Sequence, residues 1–228
     1  MNFGRDKIIG NFLNMPLFFQ HDIDDSTKLA IWKIVEDESF FSEYVPLQRT
    51  ITHPFKRLQH LAGRYLLQYL FPDFPISLIL IADTRKPYLE DETHHFSISH
   101  CHDYAAVIVS KTKRVGVDIE LLTPKIERIQ HKFVSPEEQT VFQKGDNNTL
   151  SIMNLTLIWS CKEAVFKWYG KGALDFRQHM TIQKVVSAID DQYFTEMAFK
   201  KNEDQLLGLH SFLLGDAILS YIVTSAEG

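Results

Sequence analysis

The segment of residues 154–169 constrains the fold more than any other part of this sequence. At about 100° per residue, its polar side chains fall within one narrow arc of a helix, and apolar side chains flank that arc on both sides. A helix with two apolar faces has to lie largely inside a layered domain. Gly170 and Gly172 follow it and end it. The polar arc consists of Thr156, Ser160, Glu163 and Lys167.

Because this polar arc is narrow and the flanks are apolar, we expect it to face a cleft. The alternative is an ordinary surface pair of Glu163 and Lys167, which contributes only about 0.3–0.5 kcal/mol at this spacing. Lys162 falls inside the apolar arc. We expect its side chain to run along the apolar surface and to keep its ammonium in solvent.

Residues 114–121 form a second constrained segment, which reads Arg-Val-Gly-Val-Asp-Ile-Glu-Leu. Alternation along a strand puts Asp118 and Glu120 on one face, about 7 Å apart. Such a pair suits one hard cation, and Mg²⁺ commonly binds one or two carboxylates together with substrate phosphates. Gly116 on the same face would leave room for a ligand. A solvent-facing strand with ordinary charges is the alternative interpretation.

The remaining periodicity predicts an α+β fold, because the strands cluster instead of alternating with helices. A connection of three residues, 111–113, is short enough to join two of these strands as a hairpin. Two of the helices lie about 100 residues apart, each before a group of strands, which indicates two similar halves. The predicted helices are 26–36, 54–70, 124–131, a segment from Ser135 and 154–169; the predicted strands are 77–82, 96–99, 104–110, 114–120, 193–199 and 217–224.

Charge and composition exclude several classes of protein. The net charge of −5 disfavours a general nucleic-acid binder. Residues 46–187 nevertheless carry 18 basic and 14 acidic side chains, so we expect an anionic ligand to bind in the middle of the chain. Two cysteines cannot form a disulfide framework, which predicts a reducing, cytoplasmic location. We expect no signal peptide and no membrane-spanning segment.

A histidine-rich stretch at 94–103 allows several interpretations. Zinc binding by His100, Cys101 and His102 is disfavoured, since successive strand residues point to opposite faces and no second Cys/His cluster exists. A nucleophile and base at Ser99 and His100 is disfavoured for the same geometric reason. Contact of this hydroxyl and imidazole with a phosphate is the favoured function, and ordinary surface histidines are the alternative.

Taken together, these segments resemble the 4′-phosphopantetheinyl transferases of the larger, Sfp type. Four motifs occur in the family's order over about 90 residues. The resemblance extends over roughly residues 45–175. The motifs are 85–87 (Arg-Lys-Pro), 96–100 (Phe-Ser-Ile-Ser-His), 116–120 (Gly-Val-Asp-Ile-Glu) and 159–164 (Trp-Ser-Cys-Lys-Glu-Ala), the last followed by Lys167.

The resemblance implies a function and a fold. Such enzymes transfer the phosphopantetheine arm of coenzyme A to a serine of an acyl or peptidyl carrier protein and release adenosine 3′,5′-bisphosphate. Their chains fold as two similar α+β halves, related by a pseudo-two-fold, with the active site in the cleft between them. For this chain we expect a half at 1–112 that contacts coenzyme A, a half at 113–228 that binds Mg²⁺ and is catalytic, and a monomer that binds neither nucleic acid nor membrane.

The resemblance also implies roles for particular residues. Mg²⁺ would be held by the three carboxylates of Asp118, Glu120 and Glu163. Glu163 would also take the proton of the carrier serine, and Lys167 would neutralise charge on the phosphates. The residues expected to contact coenzyme A are Arg49, Arg85, Lys86, Ser99 and His100, with His100 on the 3′-phosphate and with Arg85 and Lys86 near the adenosine end.

Two other functions stay open on the sequence alone. One is a non-catalytic module that binds coenzyme A or a carrier protein, although such a module does not need carboxylates for a metal. The other is a different Mg²⁺-dependent phosphotransferase or hydrolase, for which the sequence offers neither a P-loop nor a G-x-G-x-x-G motif.

Overall fold

The computed structural model describes residues 16–47, 50–142, 149–187, 191–201 and 203–226. Within these residues the chain forms two compact units. One runs to Val115 and includes residues 225 and 226, and the other is Gly116–Thr224. Each unit has its own antiparallel sheet, helices and hydrophobic core. The predicted α+β class is confirmed, whereas the pseudo-two-fold and the cleft stay predictions.

The first unit is a four-stranded sheet covered by a long helix. Its strands are β1 (Leu17–Asp24), β2 (Thr27–Lys33), β3 (Leu80–Ile81), β4 (Pro87–Tyr88), β5 (His95–Cys101) and β6 (Tyr104–Ser110), and its helices are α1 (Glu38–Ser42) and α2 (Pro54–Leu70). The sheet has the order β1-β2-β6-β5, with every neighbouring pair antiparallel, while β3 and β4 pair separately. A 3₁₀ turn lies at Ile76–Leu78. Helix α2 packs on β2 and β6 and closes the core.

Helix α2 has the bounds predicted for it. Pro54 occupies its first turn, where a missing backbone N–H costs nothing, and the helix ends before Phe71 and Pro72. Its buried face contributes Leu61, Leu66 and Leu67 to the core. Sequence signals at both ends and a 3.6-residue apolar period were therefore sufficient to predict this element.

The helix predicted at 26–36 is wrong, because most of this segment forms strand β2. Four consecutive residues, Leu29 to Trp32, are buried, so both faces of the strand are covered. A central strand of this kind is a continuous apolar run, which periodicity cannot separate from a helix. Pairing with β1 on one side and with β6 on the other decides in favour of the strand.

The second unit is a five-stranded sheet that carries the apolar helix identified in the sequence. Its strands are β7 (Lys113–Leu121), β8 (Met180–Ser187), β9 (Gln192–Lys200), β10 (Asp204–Leu214) and β11 (Ala217–Ser225), and its helices are α3 (Lys125–Ile129), α4 (Pro136–Phe142) and α5 (Ile152–Tyr169). The strand order is β7-β11-β10-β9-β8. A 3₁₀ turn at Gln130–Lys132 follows α3. Helix α5 provides the largest share of the core.

Two further expectations about strands are wrong. Strands β6 and β7 do not form a hairpin, because β6 already has β2 and β5 as neighbours and β7 joins the other sheet. The buried strand expected at 77–82 is instead the 3₁₀ turn followed by the two-residue strand β3, whose Leu80 and Ile81 are exposed. In the described part of the chain, no helix is long and apolar enough to cross a membrane.

Candidate active site

Strand β7 and helix α5 carry the candidate catalytic residues, and they lie in close contact. A side chain at Gly116 would bring its Cβ within 2.2 Å of the Ala164 carbonyl oxygen and 2.8 Å of the Trp168 Cβ. Only glycine lets the strand approach the helix backbone this closely. The expectation that Gly116 leaves room for a ligand is therefore wrong, since α5 occupies that space.

The local sequence determines where α5 begins and ends. The hydroxyl of Ser151 accepts a hydrogen bond from the Asn154 backbone N–H at the first turn. Gly170 ends the helix in the left-handed conformation, at φ 70°. Eighteen residues lie between these caps, so the polar arc predicted from the sequence lies on one continuous helix.

The first half of the polar arc of α5 is buried, and Ser160 in it contacts β7. The hydroxyl of Ser160 donates to the Asp118 carbonyl oxygen at 3.4 Å, whereas that of Thr156 donates to the Ile152 carbonyl oxygen within the helix. Both hydroxyls are buried. Glu163 and Lys167, further along the arc, are half-buried. The expected cleft therefore does not extend along the whole arc: Ser160 packs against β7, whereas Thr156 lines a cavity.

An ion pair joins the two elements. The Lys167 ammonium lies 2.6 Å from the Asp118 Oδ1, with side-chain exposures of 25% and 3%. Charge-assisted bonds of this length are among the stronger ones in proteins. The pair holds a cation beside a nearly buried carboxylate while the lysine keeps partial contact with solvent.

The Glu163 carboxyl is electrostatically linked to both acidic residues of β7. Its pKa is raised to about 7: burial is the largest cause, the carboxylates of Asp118 and Glu120 add to it, and Lys167 opposes them. Like charges disfavour one another at short range in a poorly solvated site. The three predicted carboxylates and Lys167 therefore form one cluster within the second unit.

Glu120 has its own partner on α5. The Trp159 indole N–H donates to the Glu120 Oε1 at 3.1 Å. Both side chains border a cavity of about 330 Å³. The other residues that line this cavity are Leu121, Thr123, Lys125, Ile126, Ile129 and Thr156.

The three carboxylates match Mg²⁺ in the chemistry of their donor atoms, but not in their present arrangement. Three carboxylates supply hard oxygen ligands, and Asp118 and Glu120 contribute, after burial, to the raised pKa of Glu163, so an added divalent cation would relieve that repulsion. In the ranges that the structure describes, no group of three His, Cys, Asp or Glu side chains is arranged to hold a metal ion. Asp118 is paired with Lys167, and Glu120 with Trp159.

A buried ion pair lies behind this cluster and was not expected from the sequence. Lys162 does not reach solvent: its ammonium is fully buried and lies 2.7 Å from the Glu138 Oε2. It also donates to the carbonyl oxygens of Phe133 and Phe176, at 2.6 and 2.9 Å. Burial lowers its pKa, and Glu138 opposes that shift. The one sequence signal was a lysine inside an apolar arc.

The residues expected to contact coenzyme A lie in the first unit, as far as they are described. On β5, Ser99 is buried and His100 is exposed, as alternation along a strand requires. Arg85 is exposed and has a positive φ of 65°, in the connection between β3 and β4. Arg49 lies outside the described residues.

Lys86, another member of this group, has a shifted pKa. Burial lowers its pKa to about 8, and the nearby Arg114 guanidinium contributes. Two cationic side chains, Lys86 and Arg114, near each other in a partly buried position favour the binding of an anion. Arg114 was not among the residues predicted from the sequence, although it directly precedes the acidic strand motif.

Comparison with known proteins gives a consistent set of matches. Residues 114–217 match the family model of the 4′-phosphopantetheinyl transferase superfamily. The chain is similar to enterobactin synthase component D of Escherichia coli (29% identity over 115 residues, 49% of this chain and 54% of the relative) and to the 4′-phosphopantetheinyl transferase AcpT of the same species (29% over 126 residues, 52% and 60%). It is also similar to the 4′-phosphopantetheinyl transferase HetI of Nostoc (25% over 169 residues, 64% and 70%).

These matches have a limited extent. The chain spans about half the length of the first curated relatives it matches. The segment that matches the family contains Asp118, Glu120, Glu163 and Lys167. Arg85, Lys86, Ser99 and His100 precede that segment.

Proposed function

We propose that this protein is a Mg²⁺-dependent phosphopantetheinyl transferase, because its residues 114–217 match the family model of the 4′-phosphopantetheinyl transferase superfamily and its motifs resemble that family. It transfers the 4′-phosphopantetheine arm of coenzyme A to a serine of an apo acyl or peptidyl carrier protein. The second product is adenosine 3′,5′-bisphosphate. The proposed location is the cytoplasm, on the basis of the low cysteine content.

One observation carries this proposal. Asp118, Glu120 and Glu163 interact with one another and with Lys167 inside the segment that matches the family. Phosphoryl transfer depends mainly on positioning and on neutralising the charge of the phosphates. Three carboxylates for a divalent cation and one lysine supply those two needs.

The carboxylates of Asp118, Glu120 and Glu163 would hold the Mg²⁺. When bound, this ion neutralises charge on the coenzyme A pyrophosphate. Lys167, now beside Asp118, would donate to the phosphate oxygens. A lysine ammonium is a compact point charge on a flexible stem, so it can exchange a carboxylate partner for a phosphate without a change in the backbone.

Glu163 would accept the proton of the carrier serine, directly or through one water. The serine Oγ then forms a bond to the β-phosphorus of coenzyme A. The bond from that phosphorus to the bridging oxygen breaks, and the electron pair leaves with adenosine 3′,5′-bisphosphate.

The proposal assigns coenzyme A binding to the half at 1–112, and Mg²⁺ binding and catalysis to the half at 113–228. His100 would bind the 3′-phosphate with support from Ser99, while Arg85 and Lys86 would bind near the adenosine end. Arg49 is proposed as a further phosphate contact. The lowered pKa of Lys86 supports an anion at that position, since a bound phosphate would stabilise its charged form. We propose that the enzyme acts as a monomer.

A mass-shift assay tests the function. The purified protein, coenzyme A and Mg²⁺ are incubated with a panel of apo carrier proteins from fatty-acid, polyketide and peptide synthesis. We expect one carrier or more to gain the mass of one phosphopantetheine arm on its serine. No mass change on any carrier, while a known transferase modifies them all, would contradict the proposal.

Two variants sharpen this assay. Asp118→Ala should abolish the mass shift because it removes a metal carboxylate and the partner of Lys167. Asp204→Ala removes an exposed carboxylate from β10 in the same unit and should leave the rate unchanged. Tight coenzyme A binding that a chelator does not affect, with no transfer, would instead indicate a non-catalytic module.

A further inference from the structure

Trp159 connects the acidic cluster to a set of aromatic and charged residues behind it. Its indole N–H donates to the Glu120 Oε1 at 3.1 Å. This bond engages one oxygen of the carboxylate and restricts the rotation of the side chain. A carboxylate has two oxygens, so a group held in this way can still ligate a cation.

Glu120 lies at the edge of a cavity, where the orientation of its side chain matters for binding a ligand. The side chain is half-buried and borders the cavity of about 330 Å³ beside Trp159. A carboxylate at the edge of a cavity can adopt several rotamers, and a metal site with one mobile ligand binds its ion more weakly. The hydrogen bond from Trp159 selects one of these orientations.

The Trp159 ring is itself held between two aromatic side chains. Phe133 lies against it with ring centroids 5.1 Å apart and an interplanar angle of 62°, and Phe176 lies 5.5 Å away at 38°. Aromatic pairs at these distances and tilts are favourable. The indole therefore cannot turn away from Glu120 without losing both contacts.

The buried lysine is hydrogen-bonded to the backbone of both aromatic residues. The Lys162 ammonium donates to the carbonyl oxygens of Phe133 and Phe176 and to the Glu138 carboxylate. An ammonium has three N–H donors, and these three acceptors use all of them. Glu138 in turn accepts from the backbone N–H groups of Ser135 and Ile182. One ion pair thus connects α5, α4, β8 and the segments that carry both rings.

We propose that Trp159 is a positioning residue for the Glu120 carboxylate, and that the buried Lys162–Glu138 pair fixes the two rings that hold Trp159. The inference rests on the proposed function, because it assigns Glu120 to the metal. It gives Lys162 and Glu163, which are adjacent on α5, separate tasks: Glu163 faces the acidic cluster, and Lys162 secures the residues that orient Glu120.

The test removes the indole N–H donor and keeps an aromatic side chain at position 159. Trp159→Phe retains an aromatic side chain between Phe133 and Phe176 but has no N–H for Glu120. The probe is Mn²⁺ alone, with free ion followed by electron paramagnetic resonance. We expect the Mn²⁺ affinity to fall about 10-fold or more, the usual effect of losing a residue that orients a metal ligand.

The matched control lies on the same helix. Trp168 donates its indole N–H to the Thr224 Oγ1 at 3.0 Å instead of to a carboxylate. Trp168→Phe should leave the Mn²⁺ affinity within about two-fold of the wild-type value. An equal loss in both variants would overturn the proposal, because it would indicate a general disturbance of α5.

A second readout separates positioning from a loss of structure. In the transfer assay, Trp159→Phe should raise the Mg²⁺ concentration for half-maximal rate about 10-fold, while saturating Mg²⁺ restores most of kcat. A kcat that stays low at saturating Mg²⁺, or an Mn²⁺ affinity equal to that of the wild type, would overturn the proposal. Phe176→Leu, which keeps the donor and loosens the ring, should show the same shift to a smaller degree.

The outcomes also distinguish this proposal from the proposed function. If Trp159→Phe weakens Mn²⁺ binding but the wild type modifies no carrier, the positioning role stands and the proposed activity fails. If the wild type transfers the arm and the two proteins bind Mn²⁺ equally, the activity stands and the positioning role fails. If the wild type binds no Mn²⁺, both the metal assignment and the positioning role are wrong.

Discussion

Helix α5 carries two lysines, five residues apart, that each pair with a carboxylate in a different environment. The Lys162–Glu138 pair is fully buried at 2.7 Å, and backbone groups occupy the remaining donors and acceptors. The Lys167–Asp118 pair is as short, at 2.6 Å, but the lysine is a quarter exposed. The same pair of functional groups thus supports two different tasks.

The two pairs differ in whether the lysine can exchange its carboxylate partner for another anion. Lys162 has three protein acceptors around it, so losing any of them would leave a buried polar group without a partner. Lys167 can leave Asp118 for another anion while water solvates what remains. The closed pair, Lys162–Glu138, suits a structural role. The open pair, Lys167–Asp118, suits contact with a substrate. Each prediction below changes one side of this comparison.

The largest effect is expected from breaking the closed pair. Lys162→Met leaves the Glu138 carboxylate buried without its cation, and removal of one partner of a buried pair costs about 3–5 kcal/mol. Urea unfolding followed by circular dichroism measures this change. A loss below about 1 kcal/mol would show that the pair does not stabilise the second unit.

The double variant Lys162→Met with Glu138→Leu sharpens that result. Replacing a buried pair by apolar residues is often neutral. Here the backbone groups of Phe133, Phe176, Ser135 and Ile182 would lose their partners as well. We therefore expect the double variant to remain less stable than the wild type, whereas full recovery of stability would contradict a role in satisfying these groups.

Breaking the open pair should affect the rate more than the stability. Lys167→Met should lower kcat of the proposed transfer about 100- to 1000-fold, the usual loss for one group that stabilises charge in a transition state. Its free energy of unfolding should fall by only about 1–2 kcal/mol, because water can reach Asp118 once the lysine is gone. Equal kcat values for this variant and the wild type would remove Lys167 from the mechanism.

A third substitution disturbs the contact between strand β7 and helix α5, which carries both lysines. Gly116→Ala places a methyl group where the Ala164 carbonyl oxygen lies, so β7 must move and should lose about 2–3 kcal/mol of stability. Since Asp118 follows two residues later, transfer activity should fall with it. Gly215→Ala is the control: it has open space but a φ of +67°, so it should cost about 1–2 kcal/mol and leave the rate unchanged.

The smallest effect concerns an exposed pair in the first unit, Lys113 with Asp24. Burial alone would raise the pKa of Asp24, but hydrogen bonds from Lys113 and Ser26 outweigh it and lower the pKa from 3.8 to about 2. Asp24→Asn should reduce the free energy of unfolding by at most about 1 kcal/mol at neutral pH, since exposed pairs contribute little.

The pH dependence of this pair follows from the direction of the pKa shift. A lowered pKa stabilises the fold above the ordinary value of 3.8, and the contribution disappears as the pH falls through about 2. Thermal unfolding of the wild type and of Asp24→Asn at several pH values should show two curves that converge in this range. A constant difference at all pH values would assign the effect to packing instead of charge.

Prediction from the sequence succeeded where one local signal was sufficient. Helices α2 and α5 have a proline or serine at the start and a glycine or an X-Pro bond at the end, with a clear apolar period in α2 and a narrow polar arc between two apolar faces in α5. The prediction failed for β2, since its apolar run looked the same for a buried strand and a helix. It also failed for the connection at 111–113, because a short turn does not reveal that both edges of β6 are occupied.

By itself, the sequence determined the α+β class, the resemblance to a family and the set of candidate residues, because motif order and residue type are linear properties of the chain. Tertiary structure decided the rest. It gave Lys162 a buried partner 24 residues away, closed the space beside Gly116 with a helix and set Trp159 against Glu120. These contacts depend on which residues, distant in the sequence, are buried together. Burial, more than sequence spacing, determines the partner of each charged side chain.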